Sequence, residues 1–303
     1  MNPLPTIYKT MRFVGDGFIR SVNGMEDAME MVEYIADTPI NLSKPFDLNF
    51  IHTFGTVFKV VDNNAESANL CFGIESDGKR YFVKFAGAPK ENIDLGTVEE
   101  SVEWLKQAAW TYQALEHKNL IKFIKGEEIG GGYAAVFEWV DAECIGISYP
   151  AARQKFLNLP TQAKLQAFDD ILNFHAHVAE REYVAIDFYS DQVMYNFENG
   201  QTTICDIDFY RESPYYGDKG LWGSANFVSP EECVPGSRVD EVTMVYTMGA
   251  TAFSIFTDHS RDYEVWTLSR QAYDVAAKAV SNDRDMRQQS VQQFRREWKE
   301  SRL

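Results

Sequence analysis

The stretch Tyr183–Tyr210, YVAIDFYSDQVMYNFENGQTTICDIDFY, decides how the rest of the chain is read. Two short apolar pieces, Val193 to Tyr195 and Thr202 to Cys205, flank the turn Glu198-Asn199-Gly200, which is the pattern of a β-hairpin. Asp187 precedes the first strand, and Asp206 and Asp208 follow the second, so closing the hairpin gathers the carboxylates at one end. Such a group can hold a divalent metal on oxygen ligands and leave one carboxylate to orient an attacking hydroxyl. Phosphoryl transfer needs both. The plain alternative is a surface hairpin that carries acids without any chemistry.

Bulk properties narrow the classes. A chain of 303 residues, 45% hydrophobic and 24% charged, has enough apolar material for two lobes with cores of their own. No apolar run approaches the ~18 residues of a membrane span, and the N-terminus MNPLPTIYKTMRF lacks the continuous apolar core of a signal peptide. A cytoplasmic protein without a membrane partner is the expectation. Cys71, Cys144, Cys205 and Cys233 are scattered with no C-x-x-C pair, so neither disulfides nor zinc are indicated. A net charge of -16 repels phosphate backbones and argues against nucleic acid as a partner.

Residues 1–47 read as an N-terminal extension that packs on the rest. Asn23 caps an expected helix with Ala28, Met31, Val32 and Ile35 on one stripe and Pro39 just past its end. From residue 48 the texture changes to strands: Thr56 to Val61, Asn69 to Ile74, and Arg80 to Phe85 after the hairpin signal Asp77-Gly78. Lys84 lies in the apolar run of the third strand, where a lysine calls for an anionic partner unless it sits on a solvated face. A helix from Glu99 to Leu115 follows, with Val102, Leu105, Ala109 and Tyr112 on one side and the acids Glu99, Glu100 and Glu103 in its first half. Two more strands, Phe123 to Glu128 and Tyr133 to Val140, are joined through Gly130-Gly131-Gly132. Beyond Asp141 the pattern turns helical. Thr161 is the expected cap of a helix that buries Leu165, Phe168, Ile171, Leu172 and His175 and leads into the hairpin. His175 and His177 point to different sides of that helix, so core or surface roles are favoured over a metal site.

Five strands, one helix, a short crossover, a helical half and a carboxylate hairpin form an α+β, bilobal order. Between Leu48 and Trp298 it resembles the protein kinase superfamily, close to bacterial serine/threonine-kinase-like proteins. The resemblance implies a nucleotide lobe over residues 48–140, a five-stranded antiparallel sheet with one main helix, and a mainly helical lobe over 141–303. Lys84 in Tyr81-Phe82-Val83-Lys84 is similar to the strand lysine that holds nucleotide phosphates, with Glu103, then Glu100, as its helix partner. Phe137-Glu138-Trp139-Val140 resembles the hinge, whose backbone at Glu138 and Val140 would meet adenine. Asp187 falls at the catalytic-base position, Asp208-Phe209-Tyr210 at the metal-binding Asp-Phe-Gly, and Gly223 to Glu231 at the segment ending in Ala-Pro-Glu. Arg287 stands where the arginine partner of Glu231 belongs. ATP and Mg²⁺ are the implied cofactors, with Asp208, Gln192 and Asp206 as metal ligands and a protein serine or threonine as acceptor, placed against Ser224.

Departures from the pattern keep two other readings open. The glycine-rich loop is missing; its place falls on 62–69, where Asn64 and Ser67 are the nearest phosphate-binding candidates, and Phe54-Gly55-Thr56-Val57 lies too far upstream. Ala185-Ile186 replaces the usual His-Arg, Tyr189 the usual lysine, Gln192 the usual asparagine, and Met244 an aspartate that ties down the catalytic loop. Asp206-Ile207-Asp208 and the lost lysine suit a small-molecule phosphotransferase similar to the aminoglycoside kinases. The lost glycines together with Ala185-Ile186 and Met244 suit a pseudokinase that binds nucleotide or a partner without turnover.

Overall fold

The computed structural model describes residues 31–61, 69–90, 96–217 and 223–302. Within them the chain is α+β: a five-stranded antiparallel sheet with one long helix against it, then a mainly helical half carrying short hairpins. The sheet comprises β3 (Thr56–Val61), β4 (Leu70–Ser76), β5 (Lys79–Ala86), β6 (Phe123–Ile129) and β7 (Gly132–Glu138), in the order β3-β4-β5-β7-β6. The β4–β5 turn is built on Asp77 and Gly78, at φ 52° and 70°, the left-handed pair that a two-residue hairpin turn requires. Between β5 and β6 runs α1 (Val98–Ala114), opened by a capping box: Thr97 Oγ1 accepts from Glu100 N–H, and a Glu100 carboxylate oxygen accepts from Thr97 N–H.

The expected helix around residues 31–35 is corrected by the structure; Asn23 and Ala28 lie outside the described residues. Met31–Ile35 is strand β1, paired with β2 (Thr38–Leu42) in register Ile35↔Thr38. The turn residues Ala36 and Asp37 both take positive φ, a two-residue turn that carries no Asn-Gly or Asp-Gly signal in the sequence. Ile35, Ile40 and Leu42 are buried with Leu48, Ile51, Val83 and Phe85 in a core on one face of the sheet. The other face belongs to a second core that continues into the helical half through Ala86, Leu105, Tyr112 and Phe137. Alternation along β5 therefore sends Val83 and Phe85 to the first core and turns Lys84 towards the second.

The helical half contains β8 (Glu143–Cys144), α2 (Pro150–Leu157), α3 (Thr161–Glu180), β9 (Tyr183–Val184), β10 (Val193–Tyr195), β11 (Thr202–Ile204) and β12 (Arg211–Glu212). It closes with β13 (Tyr215–Tyr216), β14 (Arg238–Val239), α4 (Glu241–Thr257), α5 (Arg270–Ala279) and α6 (Val291–Glu300). Thr161 begins α3 and does not cap it; Pro160 holds the cap position. In α3, Phe168, Ile171, Leu172 and His175 are buried as their spacing predicts. His175 is a core residue with both ring nitrogens satisfied: Nδ1–H donates to Ile171 O at 2.8 Å, and Nε2 accepts from the Tyr210 hydroxyl at 2.9 Å. Burial lowers its pKa to about 4, so it stays neutral.

Candidate active site

The hairpin β10–β11 pairs in register Val193↔Ile204 and is fixed to the sheet half of the molecule by Ile204 N–H to Asn119 O (2.6 Å) and Ile121 N–H to Ile204 O (2.8 Å). A further backbone bond, Cys205 N–H to Gln192 O at 2.9 Å, closes its base. The chain leaves β11 through Asp206 and enters β10 after Asp187, and both aspartates take left-handed backbone angles, φ 54° and 62°. Aspartate tolerates that region better than most residues do. These turns set the carboxylates close enough that Asp206, Glu232 and Asp208 all act on Asp187.

Lys84 is the cation at the centre. Its Nζ lies 2.6 Å from Asp206 Oδ1 and 2.6 Å from Asp208 Oδ2. Burial alone would lower the lysine pKa, but the pull of Asp206 and then of Asp208 prevails and raises it well above the ordinary value. Asp208 is buried, and its Oδ1 accepts from the Tyr112 hydroxyl at 3.3 Å. The same hydroxyl accepts from Ile207 N–H at 3.1 Å, so α1 reaches the site through a tyrosine.

That finding corrects the expected helix partner. Glu103 is exposed and pairs with Lys106, which also holds Glu128. Glu100 is consumed by the capping box, and Glu99 is exposed. The acids follow the solvated face of α1, whereas the face towards Lys84 carries Leu105, Ala108, Ala109 and Tyr112. Tyr112 is the site residue that sequence reasoning missed. Its signal was present: a tyrosine on an otherwise apolar stripe must satisfy its hydroxyl inside the protein.

Asp187 stands differently. Among the described residues its carboxylate accepts no hydrogen bond and meets no cation. Burial first, then the charges of Asp206, Glu232 and Asp208, push its pKa up to about 7. It opens on a recess of about 10 Å³, room for roughly one water, lined by Gly223, Ser224, Phe227, Val228 and Glu232 among others. A side chain at Gly223 would strike Val228 Cγ2 at 2.6 Å and stand 3.7 Å from Asp187 Oδ1, so glycine keeps the approach to the carboxylate open. Gln192 lies beneath: its Nε2 donates to Asp187 O at 2.6 Å, which leaves Oε1 buried with no partner.

An unpaired, buried amide oxygen on the residue that holds the Asp187 carbonyl suits a hard divalent cation, which takes oxygen ligands. Among the described residues no group of three or more His, Cys, Asp and Glu side chains is arranged to hold a metal by itself. The Lys84 ammonium sits between the carboxylates that would contribute. A cation here would share Asp206 or Asp208 with Lys84 and draw its remaining ligands from Gln192 and from a bound anion.

The remaining expected residues divide. In the segment after β7, Trp139 N–H donates to Arg80 O and Glu138 N–H to Lys122 O, whereas Val140 N–H has no acceptor among the described residues. The Glu138 side chain turns away to Lys122 at 2.6 Å. Asn64 and Ser67 lie outside the described residues. A wide cavity of about 710 Å³ opens between the α1–β6 connection, residues 138–141 and the β10–β11 hairpin. None of Lys84, Asp187, Gln192, Asp206 and Asp208 lines it, so volume does not mark the chemistry.

Below the recess, Glu231 is bound bidentately by Arg287 at 2.7 and 2.9 Å and by Arg284 at 2.6 Å. Burial opposes charge on Glu231, but the arginine contacts outweigh it and hold its pKa below the usual range. Met244 is fully buried, and Asp240 caps α4 and pairs with Arg284 and Arg238. Set beside known proteins, the chain matches no protein-family model and no curated protein.

Proposed function

We propose that the protein is an ATP- and Mg²⁺-dependent phosphotransferase of protein-kinase-like architecture, acting on a serine or threonine hydroxyl of a protein. One observation carries the reading: a buried lysine held at 2.6 Å by two aspartates stands beside a third, unpaired aspartate whose pKa lies near neutrality. Lys84 is the group that would hold nucleotide phosphates, and Val140 N–H with the Glu138 carbonyl would receive the adenine edge. Asp187 orients the acceptor hydroxyl and takes its proton as the new P–O bond forms and the bond from the γ-phosphorus to the bridging oxygen breaks, releasing ADP; a carboxyl with pKa near 7 suits that task at cellular pH. Asp206 or Asp208, together with the unpaired Gln192 Oε1, would hold Mg²⁺, which when bound neutralises charge on the phosphates.

The test is γ-phosphoryl transfer from labelled ATP with Mg²⁺ or Mn²⁺ to generic protein acceptors and to the protein itself. Wild type should transfer; Asp187→Ala and Lys84→Met should each lose about 10²-fold or more. Transfer unchanged in Asp187→Ala would overturn the role of that carboxylate. A second reading, nucleotide binding without turnover, is favoured by Lys84 occupying the space between the carboxylates. It predicts an ADP- or ATP-dependent rise in melting temperature that Lys84→Met abolishes, with no transfer to any acceptor. A small hydroxylated acceptor is favoured by Tyr189 two residues after Asp187, and an acceptor screen separates it from a protein.

A further inference from the structure

The two aspartates that hold Lys84 are not equivalent. Asp208 is enclosed: its side chain is 8% exposed, Oδ2 takes Lys84, Oδ1 takes the Tyr112 hydroxyl, and its backbone carbonyl accepts from Arg211 at 2.9 Å. Asp206 is 54% exposed, and only Oδ1 is engaged, so Oδ2 accepts no hydrogen bond among the described residues. Asp206 is also the residue next to Cys205, whose N–H is bonded to Gln192 O. This sets the backbone of Asp206 near that of Gln192, whose side-chain Oε1 is buried and unpaired. After burial, the charge of Asp206 raises the Asp187 pKa most, ahead of Glu232 and Asp208. Ile207, between the two aspartates, is fully buried, and the carboxylates on either side of it in the chain both reach Lys84 Nζ.

We infer that Asp206 with Gln192 receives the divalent cation, whereas Asp208 with Tyr112 is a positioning pair that holds Lys84 from inside the post-hairpin segment. This deepens the proposed function and rests on it. Of the two aspartates expected as metal ligands, it keeps Asp206 and releases Asp208. It also explains how Lys84 keeps its place although every acid of the first half of α1 is exposed or engaged elsewhere. Asp208 takes the part that a helix glutamate would otherwise take, and α1 contributes only a hydroxyl.

Two measurements on the full chain test the assignment. The first is ADP affinity with and without Mg²⁺ by calorimetry, for wild type, Asp206→Asn and Asp208→Asn. Asp206→Asn should bind metal-free ADP within about three-fold of wild type and lose about ten-fold or more of the metal-dependent gain. Asp208→Asn should keep that gain and weaken metal-free binding. The opposite pattern would overturn the metal assignment. The second is a ligand-free unfolding cycle with Lys84→Met. Asp208→Asn should lower the folding constant at least about ten-fold more in wild type than in the Lys84→Met background, and Asp206→Asn should show smaller coupling. Should Asp208→Asn alone fail to fold while Lys84→Met/Asp208→Asn folds, that contrast is itself the coupling. Absence of coupling at Asp208 would overturn the positioning role. Wild type without any metal-dependent gain would overturn the proposed function and the metal half together, and the ligand-free cycle would still decide the pairing.

Discussion

Glu232 and Asp187 share one recess, and burial acts on both carboxyls in the same direction. Glu232 is 4% exposed, accepts from Ser229 N–H at 2.8 Å, and has its pKa raised to about 7, chiefly by burial. An ordinary value of 4.5 in the unfolded chain against about 7 in the fold means that the folded state binds the extra proton. This contribution to stability is complete below pH 4.5 and declines as pH rises to about 7, a loss of about 3 kcal/mol at most. Glu232→Gln keeps an acceptor for Ser229 and removes the titration. It should leave the melting temperature near wild type at pH 5 and raise it at pH 8, as differential scanning calorimetry at the two values would read. His175 works in the opposite window. Its folded pKa of about 4 lies below the ordinary 6.5, so stability is lost as pH falls from 6.5 towards 4. An equal gain for Glu232→Gln at both pH values would show that Glu232 is not protonated by the fold.

Helix α1 shows how an element can be read correctly and its charges misassigned. Its approximate limits and its buried stripe, Leu105, Ala109 and Tyr112 on one face, follow from local pattern, and the structure adds the cap, Thr97 with Glu100 three residues on. The same periodicity that buries Tyr112 must expose Glu99, Glu100 and Glu103, so the helix cannot present both its apolar stripe and these acids to Lys84. Thr97→Ala removes the Glu100 N–H acceptor at an exposed terminus and should cost about 1 kcal/mol in urea unfolding. Nucleotide affinity should be unchanged, since no capping contact touches Lys84. A large loss of affinity in Thr97→Ala would mean that α1 positions the site through its N-terminus. The β1–β2 hairpin was illegible for a related reason. Residues 31–35 mix apolar and acidic side chains without a clean period, and the Ala36-Asp37 turn lacks the residues that announce positive φ.

At the scale of the molecule, Glu231 is tied down by charge pairs that span the sequence. Arg287, with a fully buried side chain, clasps Glu231 across 56 positions. Arg287→Met leaves Glu231 with Arg284 and the Thr243 hydroxyl and should cost about 3 kcal/mol, near the low end for a broken buried pair. Arg284→Met, at 28% exposure, should cost about 1 kcal/mol. Urea unfolding of both variants checks the order, and equal losses would place the weight on Arg284. Local pattern in the chain was enough for the sheet strands, the turn at Asp77-Gly78, the helices α1 and α3, the carboxylate hairpin and the candidacy of Lys84, Asp187, Asp206 and Asp208. Backbone propensity and side-chain period act over a few residues and need no partner. The choice of partner required the fold: Lys84 meets Asp208 across 124 positions in a chain with 45 acids, and burial, not spacing, separates the enclosed Asp208 from the open Asp206.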